Sequence, residues 1–246
     1  MDRFLKSLVF SVLILISGSA VYGLSLSDVR TQIRNNIRDT DSSRQRYSDS
    51  ILNGFINEAQ KDISSQIWFI EKSTSYVLTA NDVYYDLPSD FLGVRHVVFT
   101  DANDVTIELN EKSEEAVIQK EPDYENSSTG SPVQYFYRQS KSGGTAFEIS
   151  YLPVPTSTST GTVRVDYFCQ PTDLSSDSGV PFNGLLPFVP YHYTLVYAVT
   201  LRIKLIEAKT DEATVYAQLY DRAIQVMRDA IGRKPNYRPS FGGGPR

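Results

Sequence analysis

The sequence predicts an α+β protein: a discontinuous helical bundle, made of an N-terminal and a C-terminal helix pair, with an inserted antiparallel β domain and an extended C-terminal tail. Three observations carry this. Apolar residues recur every three or four positions near both ends of the 246-residue chain, they alternate with polar ones through its middle, and the last stretch is too polar and glycine-rich to bury itself. The boundaries read as 1–23 for an apolar leader, 24–68 and 185–232 for the bundle, 69–184 for the β domain and 233–246 for a flexible basic tail.

Composition bounds the function. With 41% hydrophobic and 22% charged residues the chain is an ordinary globular protein able to bury a sizeable core. A formal net charge of −5 argues against wholesale wrapping of nucleic acid, which needs a net basic surface to neutralise phosphate. The 16 Tyr and 12 Phe suit half-buried strands and subunit contacts, because a ring with a polar tip meets both environments. Cys169 is the single cysteine, so no intramolecular disulfide can form.

The leader has the layout of a secretory signal. Arg3 and Lys6 precede an apolar run from Leu8 to Ile16, too short to span a bilayer, and Gly18, Ser19, Ala20 and Gly23 follow it. Cleavage after Ala20 or Gly23 fits this layout; retention is the alternative, and the sequence leaves both open.

Next, Leu26, Val29, Ile33 and Ile37 form an amphipathic stripe, with Ser25 or Ser27 as N-cap and Asp28 in the first turn. Polar residues 40–46 break this helix. A second, from about Ser48 to Gln66, carries Leu52, Phe55, Ile56, Ala59, Ile63 and Ile67 on one side, and Gly54 costs it roughly 1 kcal/mol relative to alanine.

From Trp68 to Gln170 the period falls to 2. Alternation at Val133, Tyr135 and Tyr137, at Phe147, Ile149 and Tyr151, and from Val163 to Cys169 predicts antiparallel strands. Further strand candidates are 74–79, 83–87, 94–100 and 106–109, with turn signals at Asn81-Asp82, Pro88-Ser89 and Asn103-Asp104. Residues 121–132 read as a mobile loop too polar to pack, and 153–161 and 173–184 as further loops. Asn126-Ser127-Ser128 matches the glycosylation acceptor pattern, which chance explains in so serine-rich a loop.

Pro187 and Pro190 fit the start of a third helix running to about Ala208. It is apolar on one side at Leu195, Val199, Ile203 and Ile206 and on another at Tyr193, Tyr197, Leu201 and Leu205, which places it centrally or between subunits. Thr210 can cap the last helix, whose buried stripe reads Tyr216, Leu219, Tyr220, Ala223, Met227 and Ile231 before Gly232 and Pro235 end it.

Three stretches resemble the head-to-tail adaptor (connector) family of tailed bacteriophages, which includes tail tubular and neck-ring proteins. They are Arg46-Tyr47-Ser48-Asp49 running into Asn57-Glu58-Ala59-Gln60; Tyr85-Asp86-Leu87-Pro88-Ser89-Asp90-Phe91; and Leu186-Pro187 through His192 into the last helix with Tyr220. The resemblance implies a structural subunit of a virion neck, assembled in the host cytoplasm as a ring of twelve copies. Its partners would be sister subunits, the portal protein and a tail or nozzle protein, with double-stranded DNA passing without sequence-specific binding. It also implies that the basic tail, with Arg233, Lys234, Tyr237, Arg238 and Phe241, docks on the portal. The apolar leader departs from that pattern and alone suggests the alternative, an exported envelope module.

Catalysis is poorly served by these residues. His96 and His192 are the only histidines, and each reads as packed or hydrogen-bonded; Cys169 reads as a buried small hydrophobe. No cysteine–histidine spacing suits zinc, no glycine-rich phosphate loop follows a strand, and acid pairs such as Glu114-Glu115 are nonspecific, so no metal or cofactor is implied. Trp68, Phe69 and Ile70 read as a core hinge between the helical and β parts, or as an interface anchor.

Overall fold

Ser25 opens the first helix by a reciprocal cap. In the computed structural model, which describes residues 23–127, 129–140, 147–156 and 161–232, its hydroxyl accepts from the backbone N–H of Asp28 and the Asp28 carboxylate accepts from its own N–H, both within 3.2 Å. The helix α1 spans Leu26–Ile37, and α2 spans Asp49–Ile67 behind Ser48 as N-cap. The order continues β1 (Glu71–Val77), β2 (Tyr84–Asp86), β3 (Phe91–Asp101), β4 (Thr106–Glu108), β5 (Asn110–Glu111), α3 (Glu114–Lys120), α4 (Tyr124–Ser127), β6 (Gln134–Gln139), β7 (Phe147–Leu152) and β8 (Gly161–Cys169). Two 3₁₀ turns, Phe182–Gly184 and Leu186–Tyr191, lead into α5 (Tyr193–Ile206) and α6 (Thr210–Gly232).

The strands form two four-stranded sheets, ordered β1-β8-β3-β4 and β2-β7-β6-β5. Their inner faces share one apolar interior: Val97, Phe99, Val163, Val165 and Tyr167 from the first sheet meet Leu87, Tyr135, Ile149 and Tyr151 from the second. The interior is continuous with the helices, because Leu26, Ile33, Ile56, Ile63, Leu195, Val199, Ile203, Ile224 and Met227 belong to the same cluster. Helix α5 packs against α1, α2 and α6.

At the junction between helices and strands Phe69 and Ile70 are core residues, as a hinge there requires, whereas Trp68 is 38% exposed. Trp68 ends α2 in the left-handed region at φ 51°, reversing the chain so that Phe69 and Ile70 point inward, with 3% and 2% of their surface exposed. Phe69 packs on Phe182 and Phe188 at ring distances of 5.1 and 4.3 Å. Trp68 lies over Gly93, where a Cβ would sit 2.5 Å from the indole, and only glycine permits that approach.

Several expectations need correction. The pair β5–β6 is parallel, unlike its antiparallel neighbours, because α3 and α4 supply the crossover between them. Residues 121–132 are not simply a loop too polar to pack: α4 lies within them, and Tyr124 is 4% exposed, edge-on to Phe136 at 5.5 Å, with its hydroxyl 2.6 Å from that of Tyr84. One aromatic with a hydrogen-bonded tip is enough to anchor a polar segment. Pro187 and Pro190 lie in the second 3₁₀ turn instead of the first turn of α5. On α6 the predicted stripe holds at Tyr216, Tyr220, Ala223, Met227 and Ile231, all buried or partly buried, but Leu219 is exposed, and Ala213 and Ile224 are buried in addition.

Candidate interaction surfaces

The connection between α1 and α2 is built around a buried carboxylate. Arg38 turns the chain at φ 57°, and Asp39 then points inward, its side chain 3% exposed. It accepts from Arg34 Nη1 at 3.0 Å, from the Arg46 N–H at 2.9 Å and from the Tyr47 N–H at 3.4 Å, which together compensate its lost hydration. Arg46 donates to the Ile37 carbonyl at 2.6 Å, satisfying the end of α1, and pairs with Glu207 at the end of α5. The Tyr47 hydroxyl faces the same Glu207 at 3.5 Å; burial and that carboxylate raise its phenol above the usual range. Arg34 also donates to Asp49 at 2.7 Å, which holds that carboxyl below its ordinary range.

A second joint lies along α2. Leu174 N–H donates to Asn57 Oδ1 at 2.8 Å and Asn57 Nδ2 returns a bond to the Leu174 carbonyl at 3.2 Å, while Gln60 Nε2 donates to the Thr172 carbonyl at 3.0 Å. The loop leaving β8 is thus hydrogen-bonded to α2 as a strand neighbour would be. Glu58 pairs with Arg202, whose guanidinium stacks 4.4 Å from the centre of the Phe55 ring, tying α2 to α5.

A third joint closes the β region. Leu87 is buried and its N–H donates to the Phe147 carbonyl at 2.8 Å; the Pro88 carbonyl accepts from the Phe91 N–H at 3.0 Å across the turn. Asp90 accepts from Lys72 Nζ at 2.6 Å and from the Tyr167 hydroxyl at 3.2 Å, a pairing that raises the lysine pKa. Phe91 sits among Tyr137, Phe147 and Tyr167 with ring centres 5.3 to 6.0 Å away.

His192 is fully buried at the N-terminus of α5, its ring against Gly23 and Phe182. Neither nitrogen has a partner of good geometry, and burial, opposed by the backbone of Leu24, pushes its pKa down to about 4. Tyr220 is half-buried and its hydroxyl accepts from Gln66 at 3.4 Å. His96 lies on the outer face of β3 between Glu108 at 3.3 Å and Asp166 at 3.5 Å. Cys169 is buried as expected, its thiol pushed up to about 11 by burial.

Arg46, Tyr47, Asn57, Glu58, Leu87, Pro88, Asp90, Phe91, His192 and Tyr220 therefore do not converge on one pocket; they hold the joints between elements. Arg233, Lys234, Tyr237, Arg238 and Phe241 lie outside the described residues. Among the described residues, no group of three or more His, Cys, Asp or Glu is placed to hold a metal, and no helix is long and apolar enough to cross a membrane.

Exposed apolar side chains are scattered, with Val77 and Leu186 the most exposed, but the last two helices carry several at helical spacing. Leu205 is 59% exposed, Val215 56%, Val226 48% and Leu219 38%. Between α2, α5 and α6 runs a shallow groove of 180 Å³ lined by Phe55, Ala59, Asp62, Ala198, Leu201 and Tyr220. Leu205 and Leu219 lie on the predicted apolar sides of their helices; Val215 and Val226 do not, and their signal is a second apolar stripe at Val215, Leu219 and Val226 beside the buried one.

The family model described as SU10 adaptor protein matches residues 24–240, from before α1 to beyond α6. The chain belongs to the SU10 adaptor protein family. The resemblance to phage head-to-tail adaptors, carried by three short stretches, is thereby shown at the level of the family. No curated protein matches the chain. A solved structure titled as the neck of an empty GTA particle computed with C6 symmetry is 16% identical and covers 74% of this chain and 79% of that chain, with a TM-score of 0.26. So low a score bears on neither fold nor assembly.

Proposed function

We propose that the chain is a structural, non-enzymatic subunit of a phage neck, forming a ring of twelve copies that joins the portal of the capsid to the tail or nozzle and lines the path of the DNA. The observation that carries this reading is the adaptor family match over residues 24–240, which takes in both helix pairs and every strand. In this reading 24–68 and 185–232 act as one bundle, 69–184 is an insertion in it, and the assembly site is the virion neck, reached in the host cytoplasm. The three joints suit a load-bearing part, since each ties together elements far apart in sequence with paired or hydrogen-bonded polar groups. A ring also needs a subunit whose two sides differ, and the net acidity favours sliding of the duplex over adhesion.

Residues 233–246 supply the portal contact, with Tyr237 and Phe241 as anchors and Arg233, Lys234 and Arg238 as donors. Deleting Gly232 to Arg246 leaves a folded subunit that no longer binds portal in a pull-down; undiminished portal binding overturns the tail's role. The signal-like layout of residues 1–23 favours one rival, an exported envelope module. Intact mass separates the two: the rival requires a mature chain without about its first 20 residues.

A further inference from the structure

We propose that copies of this chain meet head to tail through two different surfaces of the α5–α6 hairpin: the outer stripe of α6 around Leu219 and Arg222 on one copy seats in the groove around Leu201 and Asp62 on the next. This rests on the ring reading and names the surfaces that would build the ring.

The two surfaces face different ways. Tyr220 marks the groove side of α6, where it meets Gln66 of α2. At about 100° per residue, Leu219, Val226 and Val215 lie roughly 100°, 120° and 140° from Tyr220, all in the same sense round the helix. On the side of α5 away from α2, Asn36 of α1 meets Thr200 and Glu212 of α6 meets Lys204; on the other side Arg202 meets Glu58 of α2. A contact between two unlike surfaces that face apart cannot close on itself as a two-fold pair; it passes on to a further copy.

Spacing and charge match the two surfaces to each other. On α6, Val215, Leu219 and Arg222 follow at i, i+4 and i+7. Along α5, Leu205, Leu201 and Ala198 take the same steps in reverse; Leu201 and Ala198 line the groove with Asp62 and Tyr220, and Leu205 lies one helical turn beyond Leu201. A neighbour's α6 laid antiparallel to α5 therefore sets its Val215 and Leu219 against Leu205 and Leu201 and brings exposed Arg222 to exposed Asp62. Leaving Leu205, Val215 and Val226 each about half exposed carries a solubility cost that such a contact removes.

The test uses the full chain and thiol trapping, with buried Cys169 left in place. Val215→Cys and Leu205→Cys preparations, the pair that this register sets face to face, are oxidised separately and mixed. Because the contact holds two thiols at high effective concentration, the mixture yields cross-linked dimer about tenfold or more above either variant alone. Asp62→Arg beside Leu205→Cys lowers that yield about tenfold, and Arg222→Asp beside Val215→Cys in the partner restores it. Equal trapping in mixed and unmixed samples overturns the proposal, as does trapping that appears only when residues 1–22 are removed, which would give the groove to that segment. Rings that still assemble on portal from Leu219→Asp and Leu205→Asp chains refute these surfaces while leaving the ring reading intact. Absence of wild-type rings on portal refutes the ring reading itself.

Discussion

Arg46, in the connection between α1 and α2, pairs with Glu207 at the end of α5, 161 residues later in the chain. The same guanidinium caps the Ile37 carbonyl and lies beside the buried Asp39 carboxylate, so one side chain joins three elements. Its own exposure limits its worth, since its side chain is 44% exposed. Arg34 differs: at 10% exposure it holds Asp39 directly. Arg34→Met is therefore expected to cost about 3–5 kcal/mol by stranding a buried carboxylate. Arg46→Met should cost about 1–2 kcal/mol, mostly through the lost hydrogen bonds. Urea unfolding midpoints of the two variants check the order.

Phe91 tests the β joint. Surrounded by Tyr137, Phe147 and Tyr167 and 5% exposed, it leaves a cavity when truncated, and Phe91→Ala is expected to destabilise by about 3–5 kcal/mol in the same assay.

His192 gives stability a pH dependence. Its folded pKa is pushed down to about 4 from an ordinary 6.5, so between those values the unfolded chain binds a proton that the folded chain does not. Stability contributed by the neutral ring is full above pH 6.5 and falls as pH drops towards 4, by roughly 3 kcal/mol over that window. Comparing His192→Leu with wild type across pH 4 to 7 isolates this slope from that of the carboxylates, and the variant should be the flatter of the two.

The chain has one tryptophan, which makes its intrinsic fluorescence a report on Trp68. Gly93→Ala places a methyl group 2.5 Å from the indole and must displace it, at a cost of about 1–3 kcal/mol. A changed emission maximum in the folded variant checks the contact.

Much of the secondary structure was legible because periodicity is local. Leu26, Val29, Ile33 and Ile37 announce α1, and the alternation from Val163 to Cys169 announces β8. Tyr124 was not, since its burial depends on Phe136 and Tyr84, and neither is signalled by the polar residues around it. On α6 the misplacement of Leu219 follows from a helix apolar on more than one side: a repeat of apolar residues does not say which side faces its own core. The motif residues were found in sequence, but their joining role needed tertiary contacts such as Asn57 to Leu174 and Asp90 to Tyr167.

The most direct test of the adaptor account is native mass measurement of purified portal rings incubated with the full-length chain. The account predicts a single added layer corresponding to twelve copies, seen from above as a closed ring. Portal rings of unchanged mass, at concentrations where the chain is folded and in excess, would contradict it.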